Sequence, residues 1–292
     1  MPTVTEVARI SLKTILFPTD FSPASSAALP FAVALSRTYG STLVVTHVIP
    51  PEPHRQVVLD QLPAEDDRVW QDARHKLSEF AHDRSIGDTP YRVLLERGDL
   101  ADVIPELIQE QAVDLVVLGT HGRRGVSKLV LGSGAEKIYR SAPCPVLTVG
   151  PKVHRGEWKL RRILCPVDVA EDPEPSLHYA LSLAEENQAQ FIVMQAIPLV
   201  PWQHRAAVEV QMRERLERLI PQESKEWCAL QFLVRWEHPA EAVLLAAADR
   251  EPDLIVMGVR KARAAGFSDH LPWPVASEVV SRAPCPVLTV RV

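Results

Sequence analysis

Residues 119–137, GTHGRRGVSKLVLGSGAEK, bring together five glycines and four lysines or arginines directly after the apolar run Asp114-Leu-Val-Val-Leu118. This is the chemistry of an anion cradle. Glycines let main chain approach a ligand and adopt φ > 0, and a helix opening at Gly132-Ser133-Gly134 offers unpaired N–H groups and the positive end of its dipole. Ser133 adds a hydroxyl that either caps its own helix or donates to a phosphate, and Arg123, Arg124 and Lys128 raise the local potential. The plain alternative is a glycine-rich surface loop with solvated arginines. Asp20, at the end of an apolar run, is by itself weak evidence, because an acid there is more often a helix cap. His47 and His121 read as core and loop residues, since neither has a second His, Cys or acid at metal-ligand spacing.

Two common phosphate patterns are absent. The chain has no G-x-x-x-x-G-K-[ST] and no G-x-G-x-x-G after the first strand of either half, so a P-loop and a standard dinucleotide fold are both excluded.

The elements that must hold the stretch follow from the whole chain. Its 292 residues suit one large domain or two modest ones, and 46% hydrophobic with 24% charged residues is an ordinary globular balance. A net charge of -5 and a pI near 6.1 argue against nucleic acid as a partner. No apolar stretch approaches a membrane span and no secretory signal is evident, so the expected location is the cytoplasm, without membrane contact. Cys144, Cys165, Cys228 and Cys285 form no C-x-x-C pair and read as small buried hydrophobes.

The sequence is written twice. ILFPTDFSP (15–23) matches ILCPVDVAE (163–171), and SAPCPVLTV (141–149) matches RAPCPVLTV (282–290). The interval from Asp168 to Gly258 is shorter than that from Asp20 to Gly119, so the second copy is trimmed through its middle. The boundary falls in the polar segment from Gly150 to Trp158, giving domains 1–152 and 153–292. In the first copy, β-branched runs predict strands near 13–18, 42–49, 90–96, 114–119 and 145–149, and helical periodicity predicts helices near 23–38, 65–84, 100–112 and 134–141. Ser22-Pro23 and Asp99 are helix starts, whereas Pro30 and Pro105 inside helices predict a kink or a cost of ~3 kcal/mol each. Strands apolar on both faces, each followed by a helix, imply the α/β class: a doubly wound parallel sheet with right-handed crossovers, used in tandem.

Gly119, two residues, Gly122, nine residues and then Gly132-Ser133 match the nucleotide-binding signature of the universal stress protein family. ILFPTD at the first strand, HVIP after the second, ERGD after the third and the closing SAPCPVLTV fit the same family in order, over essentially the whole chain as two tandem domains. The resemblance implies an adenine nucleotide alpha hydrolase-like, Rossmann-like fold and an ATP site in the first copy. Pro18, Thr19 and Asp20 then resemble the adenine and ribose wall, Asp20 also standing near Mg²⁺. Val48 resembles the backbone contact to adenine. Gly119, Gly122, Arg123, Gly132, Ser133 and Gly134 resemble the ribose and phosphate cradle. It also implies pairing of domains through their last strands, Pro145 to Val149 and Pro286 to Val292, within one chain or with a homodimer in addition.

The second copy departs from the signature. Lys261 stands where Gly122 stood, and Trp273-Pro274-Val275 lies opposite Gly132-Ser133-Gly134, so close approach, one donor and the phosphate volume are lost there. Ala196 replaces Val48, and Trp236-Glu-His-Pro239 replaces the ERGD turn. Arg260, Lys261 and Arg263 read as solvated loop charges, and the second domain as a structural and pairing partner that does not bind ATP in the family manner. The family reading is an ATP-binding regulator or sensor of the stress response. A slow Mg-dependent ATPase would have only Asp20 with Arg123 or Arg124 for its chemistry. An adenylating or pyrophosphatase enzyme is unsupported, because the Thr19-Asp-Phe-Ser-Pro-Ala-Ser25 stretch has no glycine, and a nucleotide-free structural protein is the remaining option. Calorimetry with Mg-ATP separates them: one site per chain at about micromolar affinity, worth ~8 kcal/mol, is expected, and most of the binding should vanish in Gly122→Lys, which copies the second domain into the first.

Overall fold

A computed structural model describes residues 10–51, 63–82, 86–120, 132–153, 157–170, 174–198, 200–259 and 272–291. They cluster into two compact units, Ser11–Leu147 and Thr148–Val292, the second including Ile10. The first carries β1 (Thr14–Pro18), α1 (Pro23–Tyr39), β2 (Thr42–Ile49), α2 (Pro63–Ala81), β3 (Tyr91–Arg97), α3 (Leu100–Glu110), β4 (Leu115–Gly119) and α4 (Ser133–Ser141), leading into β5 (Val146–Val149). The second carries β6 (Arg162–Pro166), α5 (Glu174–Asn187), β7 (Gln190–Ala196), α6 (Arg205–Leu219), a single turn α7 (Ser224–Trp227), β8 (Leu230–Arg235), α8 (Pro239–Arg250), β9 (Leu254–Val259), α9 (Pro272–Arg282) and β10 (Val287–Arg291). Each is an α/β unit with the same strand order, β3-β2-β1-β4-β5 and β8-β7-β6-β9-β10.

Parallel pairing of β1 with β2 and β4, and of β6 with β7 and β9, makes β1 and β6 the starting strands from which the chain winds both ways. Ile15, Leu16 and Phe17 of β1 are fully buried, as are Ile163, Leu164 and Cys165 of β6, because helices cover both faces of each sheet. The crevice of such a fold opens at the carboxyl edge between the two strands where the winding reverses, here β1 and β4.

The expected elements are present within a few residues. α2 runs from Pro63 to Ala81 rather than 65–84, and α3 stops at Glu110 rather than 112, because Ala112 turns left-handed at φ 48. Pro30 and Pro105 do lie inside α1 and α3, which nonetheless continue through them. Pro30 and Ser26, whose carbonyl it leaves without a helical donor, are both exposed, so water can take the bond. Cys165, Cys228 and Cys285 are buried, whereas Cys144 is half-buried, a departure from the expectation for that residue. Desolvation pushes the Cys165 and Cys285 thiols up to about 12, so they stay protonated and inert near neutrality.

Two devices recur in both units. Asp114 Oδ2 accepts from the backbone N–H of Lys13 (2.7 Å) and Thr14 (3.0 Å), while its own N–H donates to Thr14 O at 2.9 Å. Asp253 repeats this with Arg161 and Arg162, both 2.9 Å, and donates to Arg162 O at 2.8 Å. The acid that opens each DL-V/I-V-L/M run therefore ties the start of the central strand to its neighbour. A cation–π contact also recurs with exchanged partners. Arg97, ending β3, lies 5.9 Å from the Trp70 ring of α2, and Arg205 of α6 lies 5.3 Å from the ring of Trp236, just past β8. Among the described residues no helix is long and apolar enough to cross a membrane.

Gly119 ends β4 under the first turn of α1. A Cβ there would sit 2.3 Å from Ala24 O and 2.6 Å from Ala24 C, closer than real side-chain atoms come to backbone. Asp114→Ala is expected to cost about 1–2 kcal/mol, the worth of hydrogen bonds to a carboxylate, read as a lower denaturant midpoint. Gly119→Ala should cost about 3 kcal/mol by overpacking; a near-neutral effect on the same measurement would show that α1 does not lie against β4 in this way.

Candidate functional site

The site is built from what the strands and helices leave over at the carboxyl edge of the first unit. β1 ends at Pro18, and the turn into α1 is wired by its own side chains. Thr19 N–H still donates to Thr46 O (2.8 Å), continuing the ladder. Ser25 Oγ donates to Ser22 O (3.0 Å), which leaves Thr19 Oγ1 to donate to Ser25 Oγ (3.0 Å) and to accept from Phe21 N–H (3.0 Å). Asp20 Oδ1 accepts from Ser22 N–H at 3.0 Å, and Ser22 Oγ caps α1 by accepting from Ser25 N–H at 3.2 Å. Phe21 adopts the left-handed region at φ 60, which is strained for an aromatic residue. Its ring lies 4.5 Å from that of His47 and meets Phe80 edge-on at 6.0 Å.

β2 outlasts β1. Along a parallel strand successive N–H and C=O pairs point to alternate sides. Thr46 O faces β1, where it accepts from Thr19, and Ile49 O faces β3, where it accepts from Gly98 N–H at 3.0 Å. Val48 must therefore present its N–H and C=O to the side that β1 has left. No described residue bonds either group. Val48 is buried as a residue, and the strand alternation aims its main chain at this edge.

On the other side of the crevice Thr120 O accepts from Gly132 N–H at 2.6 Å and brings α4 back to the end of β4. The caps of three helices that begin at this edge, α1, α3 and α4, are finished differently. α1 is capped by Ser22, and α3 by Asp99, whose Oδ1 accepts from Ala101 N–H at 2.8 Å. α4 has Gly132 at its cap and no side-chain bond there, with Ser133 as first helical residue taking no part in capping. Its first turn therefore offers the amides of Ser133, Gly134 and Ala135. Lys137 of α4 pairs with Asp99, and that hydrogen bond, followed by the one from Ala101, holds the Asp99 carboxyl below its usual range. Gly134 lets α4 come close to α3, since a Cβ would lie 3.2 Å from Leu100 Cδ1.

Pro18, Thr19, Asp20, Val48, Gly119, Gly132, Ser133 and Gly134 thus share one edge of the first unit. Gly122, Arg123, Arg124, His121 and Lys128 lie outside the described residues. Gly119 has a packing role that the sequence reading did not supply. His47, a core histidine by its place in an apolar strand, has its Nδ1 2.7 Å from Thr19 O, inside the turn that carries Asp20. A comparison of the two copies holds the signal that could have marked it, because the matching residue of the second copy is Gln195.

In the second unit Asp168 Oδ1 accepts from Ala170 N–H (3.0 Å) much as Asp20 does from Ser22, and Val167 N–H donates to Met194 O (2.8 Å) as Thr19 does to Thr46. The rest differs. Val167 has no hydroxyl to offer. Gln195 Oε1 accepts from Val169 N–H at 2.8 Å and its Nε2 donates to Ala196 O at 2.9 Å. α9 begins at Pro272, two positions earlier than α4 by the shared APCPVLTV end, and both Pro272 and Pro274 lack an amide hydrogen. Arg260, Lys261 and Arg263 lie outside the described residues.

Comparison with known proteins places the chain. It matches Universal stress protein A homolog 1 of Coxiella burnetii at 32% identity over 143 residues, 48% of this chain and 97% of that protein. By fold it resembles a solved universal stress protein of Archaeoglobus fulgidus, with a TM-score of 0.67 and 20% identity over 95% of this chain and 98% of that one. A Pseudomonas aeruginosa UCBPP-PA14 structure gives a TM-score of 0.61 at 20% identity, covering 96% and 94%. The model of the universal stress protein family matches twice in succession, over residues 11–150 and 159–291. Carrying two tandem copies that together span nearly all its residues, the chain belongs to the universal stress protein family.

Proposed function

We propose that the first domain, residues 1–152, binds ATP with Mg²⁺, and that the protein serves the stress response as a regulator or sensor whose nucleotide is held there. The observation that carries this reading is the contrast among helix ends at one edge. α1 and α3 close their first turns with Ser22 and Asp99, whereas α4 is capped by Gly132, and among the described residues no side chain accepts from the amides of Ser133, Gly134 and Ala135. Three converging N–H groups at the positive end of a dipole suit phosphate oxygens. Across the crevice, the outward N–H and C=O of Val48 suit the edge of a purine base, which presents an acceptor and a donor side by side, and Asp20 stands between the two for the ribose.

Gly122 and Arg123 complete the cradle in this reading. Among the described residues no cluster of His, Cys, Asp or Glu could hold a metal by itself. That suits a Mg²⁺ that arrives on the phosphates and keeps most of its waters, with Asp20 as the carboxylate at hand. The second domain supports the first as its structural partner, its own α9 having two prolines among its first three residues.

Ser133→Pro tests the cradle with little risk to the fold, since proline is favoured at the first helical position while removing one of the three donors. Calorimetry of the full chain with Mg-ATP should show one site, weakened about tenfold in the variant, the worth of one hydrogen bond to a charged oxygen, at an unchanged or higher melting temperature. Absence of any heat in the wild type, or equal binding by both proteins, would overturn the reading.

A further inference from the structure

We infer that residue 47 decides which domain can accept a nucleobase: His47 keeps the strand edge at Val48 open, and Gln195, its counterpart, closes the same edge in the second domain. The inference rests on the nucleotide reading above. Register fixes the equivalence, because Pro18 pairs with Thr46 and Pro166 with Met194, and His47 and Gln195 are the next residues.

A carbonyl oxygen only accepts, so the 2.7 Å contact to Thr19 O requires that His47 Nδ1 carry the hydrogen. Had the β1–β2 ladder continued, Thr19 O would have accepted from Val48 N–H. The imidazole takes that place, and Val48 N–H is left facing the crevice. The ring can sit there because Phe21 folds back onto it at 4.5 Å, and Phe21 reaches it through its left-handed backbone, with its N–H held by Thr19 Oγ1. Donor side chain, strained turn and open edge form one unit.

Gln195 sets the opposite arrangement. Its oxygen takes the N–H of Val169, the residue matching Phe21, and its amide nitrogen takes the C=O of Ala196, the residue matching Val48. The acceptor that a base would need is thereby used within the protein. Val169 is not among the left-handed residues, so the turn itself has changed. The side chain at this one position therefore acts by placing the turn and the backbone edge that a base would meet.

Two substitutions of the full-length protein separate this role from simple packing. The amide nitrogen of asparagine reaches about where Nδ1 stands, so His47→Asn keeps the donor to Thr19 O, whereas His47→Gln copies the closed arrangement. In Mg-ATP calorimetry His47→Gln is expected to lose about tenfold or more in affinity and His47→Asn to stay within about threefold of wild type, with nucleotide-free melting temperatures close to each other. In NMR spectra, the strong intraresidue amide–Hα cross-peak that marks positive φ should appear at Phe21 in the wild type and His47→Asn, and be lost in His47→Gln. Wild-type affinity in His47→Gln, or equal weakening in both variants, refutes the inference. A wild type that takes up no Mg-ATP refutes the nucleotide reading instead, and the position-47 inference is then decided by the Phe21 cross-peak alone: persistence in His47→Gln overturns it.

Discussion

A parallel sheet cannot satisfy its own carboxyl edge. Where a central strand stops before its neighbour, the longer strand still carries a main-chain N–H and C=O aimed at empty space, and the helices on both faces begin at that edge with unbonded amides of their own. Everything distinctive about the first unit follows from how these groups are or are not answered. Thr19, Asp20, Ser22 and Asp99 answer most of them with side-chain oxygens. Among the described residues nothing answers the first turn of α4 or the outward backbone of Val48, which lie on opposite sides of one crevice.

The scaffold beneath that edge is shared by both copies and the rim is not. Asp114 and Asp253 staple the starting ends of the central strands with the same three bonds, and the strand order is the same. The carboxyl ends diverge. Thr19 becomes Val167, His47 becomes Gln195, and the glycine-capped α4 becomes the proline-rich start of α9. Gln195 bonds the C=O of Ala196, whose counterpart at Val48 has no partner among the described residues, Val167 drops the hydroxyl that Thr19 uses inside its own turn, and the prolines of α9 drop amide hydrogens at the helix start. The exchange of Arg and Trp between Arg97 on Trp70 and Arg205 on Trp236 shows the same freedom where the second helix meets the edge strand.

Some features could not be read from the residues alone. Pro30 and Pro105 looked like interruptions, and both helices pass through them; for α1 the reason is that Pro30 and the carbonyl it orphans lie on the wet face. α3 ends early because Ala112 takes the left-handed turn that usually asks for glycine. Gly119 reads as a place for ligand approach in a motif, while in three dimensions the space above it is filled by the backbone of Ala24 and Ser25. Both demands can hold at one glycine, but only the packing makes it indispensable to the fold.

By itself the sequence determined that this chain builds two doubly wound α/β units and that the glycine stretch of the first lies at a strand's carboxyl end. Periodicity, caps and the repeat are local signals, and burial of doubly apolar strands leaves few other architectures. What the tertiary structure alone decided is the state of the individual groups at that edge. Among the described residues nothing bonds Val48 C=O, whereas Gln195 Nε2 bonds Ala196 O, and the same two side chains reach turns some 26–28 residues away in the chain, His47 at Thr19 O and Gln195 at Val169 N–H. Such bonds are set by where two strands stop relative to each other, and no run of neighbouring residues encodes that offset.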